Sequence, residues 1–196
     1  MKRISLTTLS LLAALTAGCA SSTDHGDHAA GAARCEGPGM KMGHMMMGNM
    51  AVATVTPTQG NAVRGMVVFH EMNDHVMVHA HFTGLAPDSE HGFHLHDVGN
   101  CASADGTSAG GHFNPGKTAH GPQDAEHHAG DMPALKADAN GVIDQKFMLH
   151  GVTIKQGTNA IDGHSVILHA NADDYKTQPT GNSGPRIACG VIAVHP

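Results

Sequence analysis

HGFHLHDVGNC, residues 91–101, carries two histidines two positions apart in an apolar frame. In an extended strand, residues i and i+2 project from one side, so His94 and His96 share a face while Leu95 points the other way, into a core. Two imidazoles held side by side on a stiff backbone are half of a metal site, and neutral imidazole suits copper, zinc and nickel. The plainer reading is an exposed strand that happens to bear histidines, in a chain with 18 His among 196 residues. The flanking sequence decides between the two.

On both sides of this stretch the chain reads as strands. MAVATVTP and VRGMVVFH are separated by the turn-rich TQGN, and HVMVHAHF alternates Val76, Val78, Ala80 and Phe82 with polar or His positions. HGFHLHDV is a fourth strand. ALKADANGVIDQKFML follows hairpin logic, with Asn140-Gly141 as a two-residue turn signal. SVILHA and ACGVIAV supply the last two. Residues 99–133 and 171–185 have no strand pattern, and irregular segments of that length are functional or disordered. About eight strands and two long functional loops, without a convincing amphipathic helix, predict an all-β Greek-key β-sandwich or flattened barrel. Residues 51–196 form that one domain.

The first of the two loops, with the strand before the second, holds more candidate ligands: His112 in GGHFNP, His120 in AHGP, His128 and Asp131 in HHAGD, and His169 in LHANADD. With His94 and His96 these make six histidines and a carboxylate, more than one ion can use. Zinc takes four N, O or S ligands in a tetrahedron, and Cu(II) a flattened set of nitrogens. The sum fits two metals sharing a deprotonated, bridging histidine.

GFHLHDVGNC, GGHFNP, HHAGD, LHANADD and GPRIACGVIAV occur in this order in the copper/zinc superoxide dismutases, and roughly residues 50–196 resemble that family in its bacterial, exported form. The resemblance implies dismutation of superoxide to molecular oxygen and hydrogen peroxide. It implies copper on His94, His96, His112 and His169, and zinc on His112, His120, His128 and Asp131, with His112 as the bridge. His127 adjoins His128, and the family's spacing to Gly-Asp selects the latter. Asp173 matches a carboxylate that orients His94 and His120 through hydrogen bonds. Arg186, three positions before Cys189, matches the arginine that guides the anion, and Thr180 the channel rim. Pro179 stands where the animal enzymes have a steering lysine, so Lys176 or Lys117 takes that role here. The family pairs Cys101 with Cys189. Closing a loop of about 88 residues stabilises by roughly 4 to 5 kcal/mol in the chain-entropy account.

The N-terminus reads as export. Lys2 and Arg3 precede an apolar run of about a dozen residues, too short for a stable membrane span. The run ends in LTAGC, which resembles a bacterial lipoprotein cleavage site with Cys19 as the acylated residue. Residues 1–18 are then a signal peptide, and the resemblance implies a protein of the periplasm or cell envelope held by an outer-membrane lipid anchor, with plain secretion as the alternative. Cleavage removes two positive charges and moves the formal charge from −6 to −8. An acidic, aromatic-poor chain without a basic cluster is not a nucleic-acid binder.

Residues 19–50 form a flexible His/Met-rich tether, with His25, His28, His44, six methionines and the odd Cys35. It is either a spacer or a copper-capturing segment, since thioether and imidazole suit Cu(I) and Cu(II). His70, His75, His79, His81, His91, His127, His150, His164 and His195 match no ligand position and are expected to be solvent-exposed or hydrogen-bonded. The alternative function is an exported copper/zinc-binding protein that buffers or delivers metal; it explains the tether but does not require Arg186 or a shared histidine. A copper-only dismutase would lack the zinc set, and a lapsed relative would not keep the copper ligands together with Arg186. The sequence leaves the oligomeric state open, a homodimer included.

Overall fold

A computed structural model describes residues 49–195. The expected signal peptide, Cys19, Cys35 and the expected tether up to residue 48 lie outside the described residues. Among the described residues no helix is long and apolar enough to cross a membrane.

The strands are β1 (Met50–Pro57), β2 (Arg64–Glu71), β3 (His75–Thr83), β4 (Glu90–His91), β5 (Phe93–His96), β6 (Leu135–Lys136), β7 (Ile143–His150), β8 (Ser165–His169) and β9 (Arg186–His195). Seven of them form one antiparallel sheet in the order β5-β8-β9-β1-β2-β3-β7, and β4 pairs with β6. Because β4 leads into β5, and Asp138 N donates to Val142 O at the foot of β7 (2.8 Å), the β4–β6 pair bridges the two edges of the sheet. The result is a curled, flattened barrel. β1 already begins at Met50, one residue before the expected domain boundary.

Period-two alternation sets the core. Ala51, Ala53 and Val55 of β1, Val67 and Phe69 of β2, and Val76, Val78, Ala80 and Phe82 of β3 point inward, and Phe82 meets Phe93 edge-on at 5.7 Å. β5 and β8 are buried along both faces. Their inner residues Phe93, Leu95, Val166 and Leu168 join the main core, while Ile167 packs outward against Ala109, Cys189 and Cys101. That second small core holds the first long loop against the sheet. The Cys101–Cys189 disulfide, Cα–Cα 5.7 Å, adds a covalent tie.

Two expectations are corrected. HGFHLHDV is not one strand: Gly92 divides it, its N–H donating to Asn171 O (2.7 Å) and its carbonyl accepting from His169 N (2.9 Å). A Cβ at this position would lie 2.4 Å from Ser183 Oγ and 2.7 Å from Ser183 Cβ, so glycine leaves the room that the Ser183 side chain fills. Nor do the segments flanking Asn140-Gly141 form a two-residue hairpin. The Asp138 carboxylate accepts from the backbone of Asn140 (2.8 Å) and Val142 (2.9 Å), which makes a wider turn, and Leu135–Lys136 pairs with β4 instead of β7.

Candidate metal centre

The long loop reaches the histidines by extending the sheet. Beyond β5, Leu95 N donates to Gly130 O (2.8 Å), Phe113 N to Leu95 O (2.9 Å) and Gly130 N to Phe113 O (2.9 Å). These bonds make His112 the cross-strand neighbour of His96, and Asp131 that of His94. Directly opposed residues in such a ladder project from the same face. The backbone pairing therefore brings loop ligands beside strand ligands, and β8 adds His169 from the other side of β5.

Two clusters result. In the first, one nitrogen each from His94, His96, His112 and His169 lies within 4.8 Å of the others. His94 Nδ1 and Nε2 of His96, His112 and His169 are buried and make no hydrogen bond. The opposite nitrogens are engaged: His94 Nε2 with Asp173 Oδ2 (2.6 Å), His96 Nδ1 with Gly110 O (3.0 Å) and His169 Nδ1 with Gly184 O (3.1 Å). Each ring is fixed in tautomer and rotation, with its free lone pair aimed at a common point.

In the second cluster Asp131 Oδ1 lies 2.8 Å from His112 Nδ1, 3.0 Å from His120 Nδ1 and 3.2 Å from His128 Nδ1. The His120 contact is close without hydrogen-bond geometry, so that nitrogen too is unsatisfied. Asp131 Oδ2 accepts from the backbone N–H of His128 (2.9 Å) and Gly121 (3.2 Å), which turns Oδ1 to the histidines. His112 belongs to both clusters, giving Nε2 to the first and Nδ1 to the second.

Asp173 links the two. Besides His94 it engages His120 Nε2 through Oδ1 (3.0 Å), and Oδ1 also accepts from Tyr175 N (2.7 Å). Gln178 clamps the His120 backbone in both directions, Nε2 to its carbonyl and Oε1 to its N–H, each at 2.8 Å. This clamp has no sequence signature, because a lone glutamine in a loop looks like any solvated residue. Half-buried Arg186 stands opposite His169 at the start of β9. Its guanidinium donates to Gly106 O (2.7 Å) and Gly110 O (2.6 Å). Lys117 and Lys176 are exposed, and Thr180 is partly so. His91 is buried between Ser89 Oγ (2.8 Å) and His169 O (2.7 Å), and thus supports the backbone of β8.

Burial sets the charge state of the metal-free protein. It pushes the pKa of His96 down to about 2, of His169 to about 3 and of His94 to about 4, with Asp173 offsetting part of the effect at His94. Burial acts the same way on His120, but Asp131 and Asp173 outweigh it and raise that pKa to about 9. Both carboxylates fall well below their usual range: their hydrogen bonds to histidines overcome burial. Free histidine titrates near 6.5, so below about that pH the unfolded chain takes up protons that His94, His96 and His169 refuse when folded. Their contribution makes folded metal-free protein lose stability as pH falls from 6.5 toward 4. His120 has the opposite sign: its stabilisation is full below 6.5 and is lost as pH rises through about 9. Chelator-stripped protein is expected to melt lower at about pH 5 than at about pH 7 in calorimetry, and flat melting temperatures across that window would contradict this burial.

The copper/zinc superoxide dismutase family model matches residues 63–192. A Cu-Zn superoxide dismutase of Aquifex aeolicus is 39% identical over 147 residues, covering 72% of this chain and 85% of the relative. The Cu-Zn superoxide dismutase of Saccharomyces cerevisiae is 39% identical over 153 residues, covering 73% and 98%. Among solved structures, a double mutant of a SOD-like protein from Bacillus subtilis superposes with TM-score 0.66 at 38% identity, covering 72% of this chain and 96% of that one. On the extent of these matches, over a barrel whose strands and long loop together carry two joined histidine clusters, the chain belongs to the copper/zinc superoxide dismutase family.

Proposed function

We propose that this chain converts two superoxide anions and two protons to dioxygen and hydrogen peroxide, with copper in the first cluster and zinc in the second. The observation that carries the reading is the set of buried nitrogens without partners. Leaving such atoms unpaired costs roughly 1 to 3 kcal/mol each, so a core that gathers several at one point is built for a ligand. Four imidazole nitrogens suit copper, and three imidazoles with a carboxylate suit zinc. When bound, copper supplies the one-electron couple and zinc a fixed positive charge.

The protein's own groups do the rest. Neutral imidazole has a single acceptor lone pair, so His112 serves both clusters only as the anion. Its Nε2 is consequently a proton acceptor whenever its contact with the first cluster loosens, close to where a reduced product needs protons. Arg186 is held by two carbonyls and keeps further N–H donors for a small anion. In an acidic chain this local positive charge does the attracting, since the global field repels superoxide.

Arg186→Glu is expected to lower the dismutation rate about tenfold or more while copper stays bound, because attraction becomes repulsion. The wild-type rate falls with added salt for the same reason. A rate unmoved by both in pulse radiolysis would remove Arg186 from this role. Metal analysis with a dismutation assay on one purified sample tests the function itself: about one copper and one zinc per chain without activity would favour the metal-buffer alternative.

The chain is further proposed to be exported and anchored in the bacterial envelope through Cys19. The support is the Lys2-Arg3 start, the apolar run and LTAGC. Cys19→Ser should release it from the membrane fraction, and unchanged partitioning would refute the anchor.

A further inference from the structure

The outward face of the sheet carries a second concentration of metal-binding side chains, remote in role from both clusters. Along β1, β2, β3 and β7 the register places Met50 opposite His70, His70 opposite Met77, and Met77 opposite Met148. This is one unbroken row of thioether and imidazole across four neighbouring strands. Opposed residues in an antiparallel ladder have Cβ atoms about 4.5 to 5.5 Å apart on one face, so adjacent members of the row are within mutual reach of one ion. Two residues further along the same face, His75 stands opposite His150 with ring centroids 5.6 Å apart. Asp74 engages Nδ1 of His75 at 2.7 Å, which leaves Nε2 as the outward nitrogen.

The composition of this face is not what a solvated sheet asks for. Exposed strand positions favour β-branched and aromatic residues, which fit the pleat. Here Met148 is 58% and Met66 48% exposed, both on the outward side. Val76, Val78, Ala80 and Phe82 fill the inward positions of β3, and its outward positions are His75, Met77, His79 and His81. Sulfur and imidazole thus occupy outward positions, Met148 exposed and Met50, His70 and Met77 part-buried.

We infer that this row carries a surface Cu(I) site, separate from the copper and zinc clusters, with Met77 and its two flanking neighbours His70 and Met148 as ligands and Met50 as the next sulfur along. Thioether sulfur is a soft ligand that selects Cu(I), and imidazole completes the set; hard cations such as calcium and magnesium have no oxygen ligands in the row. Unlike the buried clusters, these ligands sit on an open face with flexible methionine side chains, so the ion is held where it can exchange. The inference does not depend on the dismutase reading, because none of the four residues belongs to either cluster.

The test uses the full chain with copper and zinc already loaded and the copper reduced to Cu(I). Cu(I) is added without oxygen against a chromophoric Cu(I) chelator, while the methyl groups of Met77 and Met148 are followed by NMR. Cu(I) is diamagnetic, so bound methyl resonances shift and remain visible. The expected result is a shift of both resonances, together with retention of about one more Cu(I) per chain than in Met77→Leu/Met148→Leu. Dismutase activity of that variant is expected to be unchanged. Wild-type methyl resonances that stay fixed as Cu(I) is taken up would overturn the site, and so would equal Cu(I) retention by a folded variant. If the variant does not fold, the wild-type resonances alone decide.

Discussion

His112→Ala is expected to lower dismutation by more than about 100-fold, the upper end of the range for losing even an outer partner of a metal ligand. It is the one side chain whose two nitrogens serve both clusters. Its loss leaves the first with three imidazoles and the second with two imidazoles and Asp131. Asp131 Oδ1, now without its 2.8 Å neighbour, stays buried with less compensation. Copper and zinc should both be retained less well against a chelator, whereas His96→Ala should affect copper alone. If His112→Ala lost copper and kept zinc at wild-type affinity, the two clusters would be independent sites and the shared-imidazole reading would fail.

The largest effect expected of a residue that offers no ligand atom is that of Gly181→Ala. Gly181 has φ +62°, a region that costs a non-glycine residue about 1 to 3 kcal/mol. A Cβ there would lie 1.8 Å from Asp173 Oδ1 and 2.6 Å from His120 Nε2, separations no real contact permits. The carboxylate must move, and with it go the bonds that orient His94 and His120. Metal retention is expected to fall about 10- to 100-fold, with activity falling alongside at limiting copper. Wild-type retention by this variant would show that Asp173 is dispensable for holding the two rings.

The strands were legible because each alternates with period two over enough residues to reveal its buried face, as β3 does. The gathering of the ligands was legible only through their motifs: His112 and Asp131 lie in a loop with no periodicity of its own. What brings them beside β5 is backbone pairing of residues 113 and 130 with Leu95, and main-chain hydrogen bonds leave no mark on side-chain pattern. The break at Gly92 was hidden for a related reason. A glycine inside an apolar run signals close approach without saying to what, and here the partner, Ser183, is ninety-one positions away in sequence. The outward His/Met row was present in the alternation but could not be assembled, because strand order and register are tertiary facts. Gln178 was invisible altogether.

The carbonyl of Gly110 accepts from both Arg186 and His96 Nδ1. Whatever moves this peptide unit therefore moves the anion guide and a ring of the first cluster together. An engineer who repositions Arg186 to admit a different small anion will also change the electron donation of His96, and hence the potential of the redox centre. Selectivity and driving force are geared to one main-chain atom. No side-chain substitution can replace that oxygen, so a shift of this one peptide adjusts the two properties as a pair.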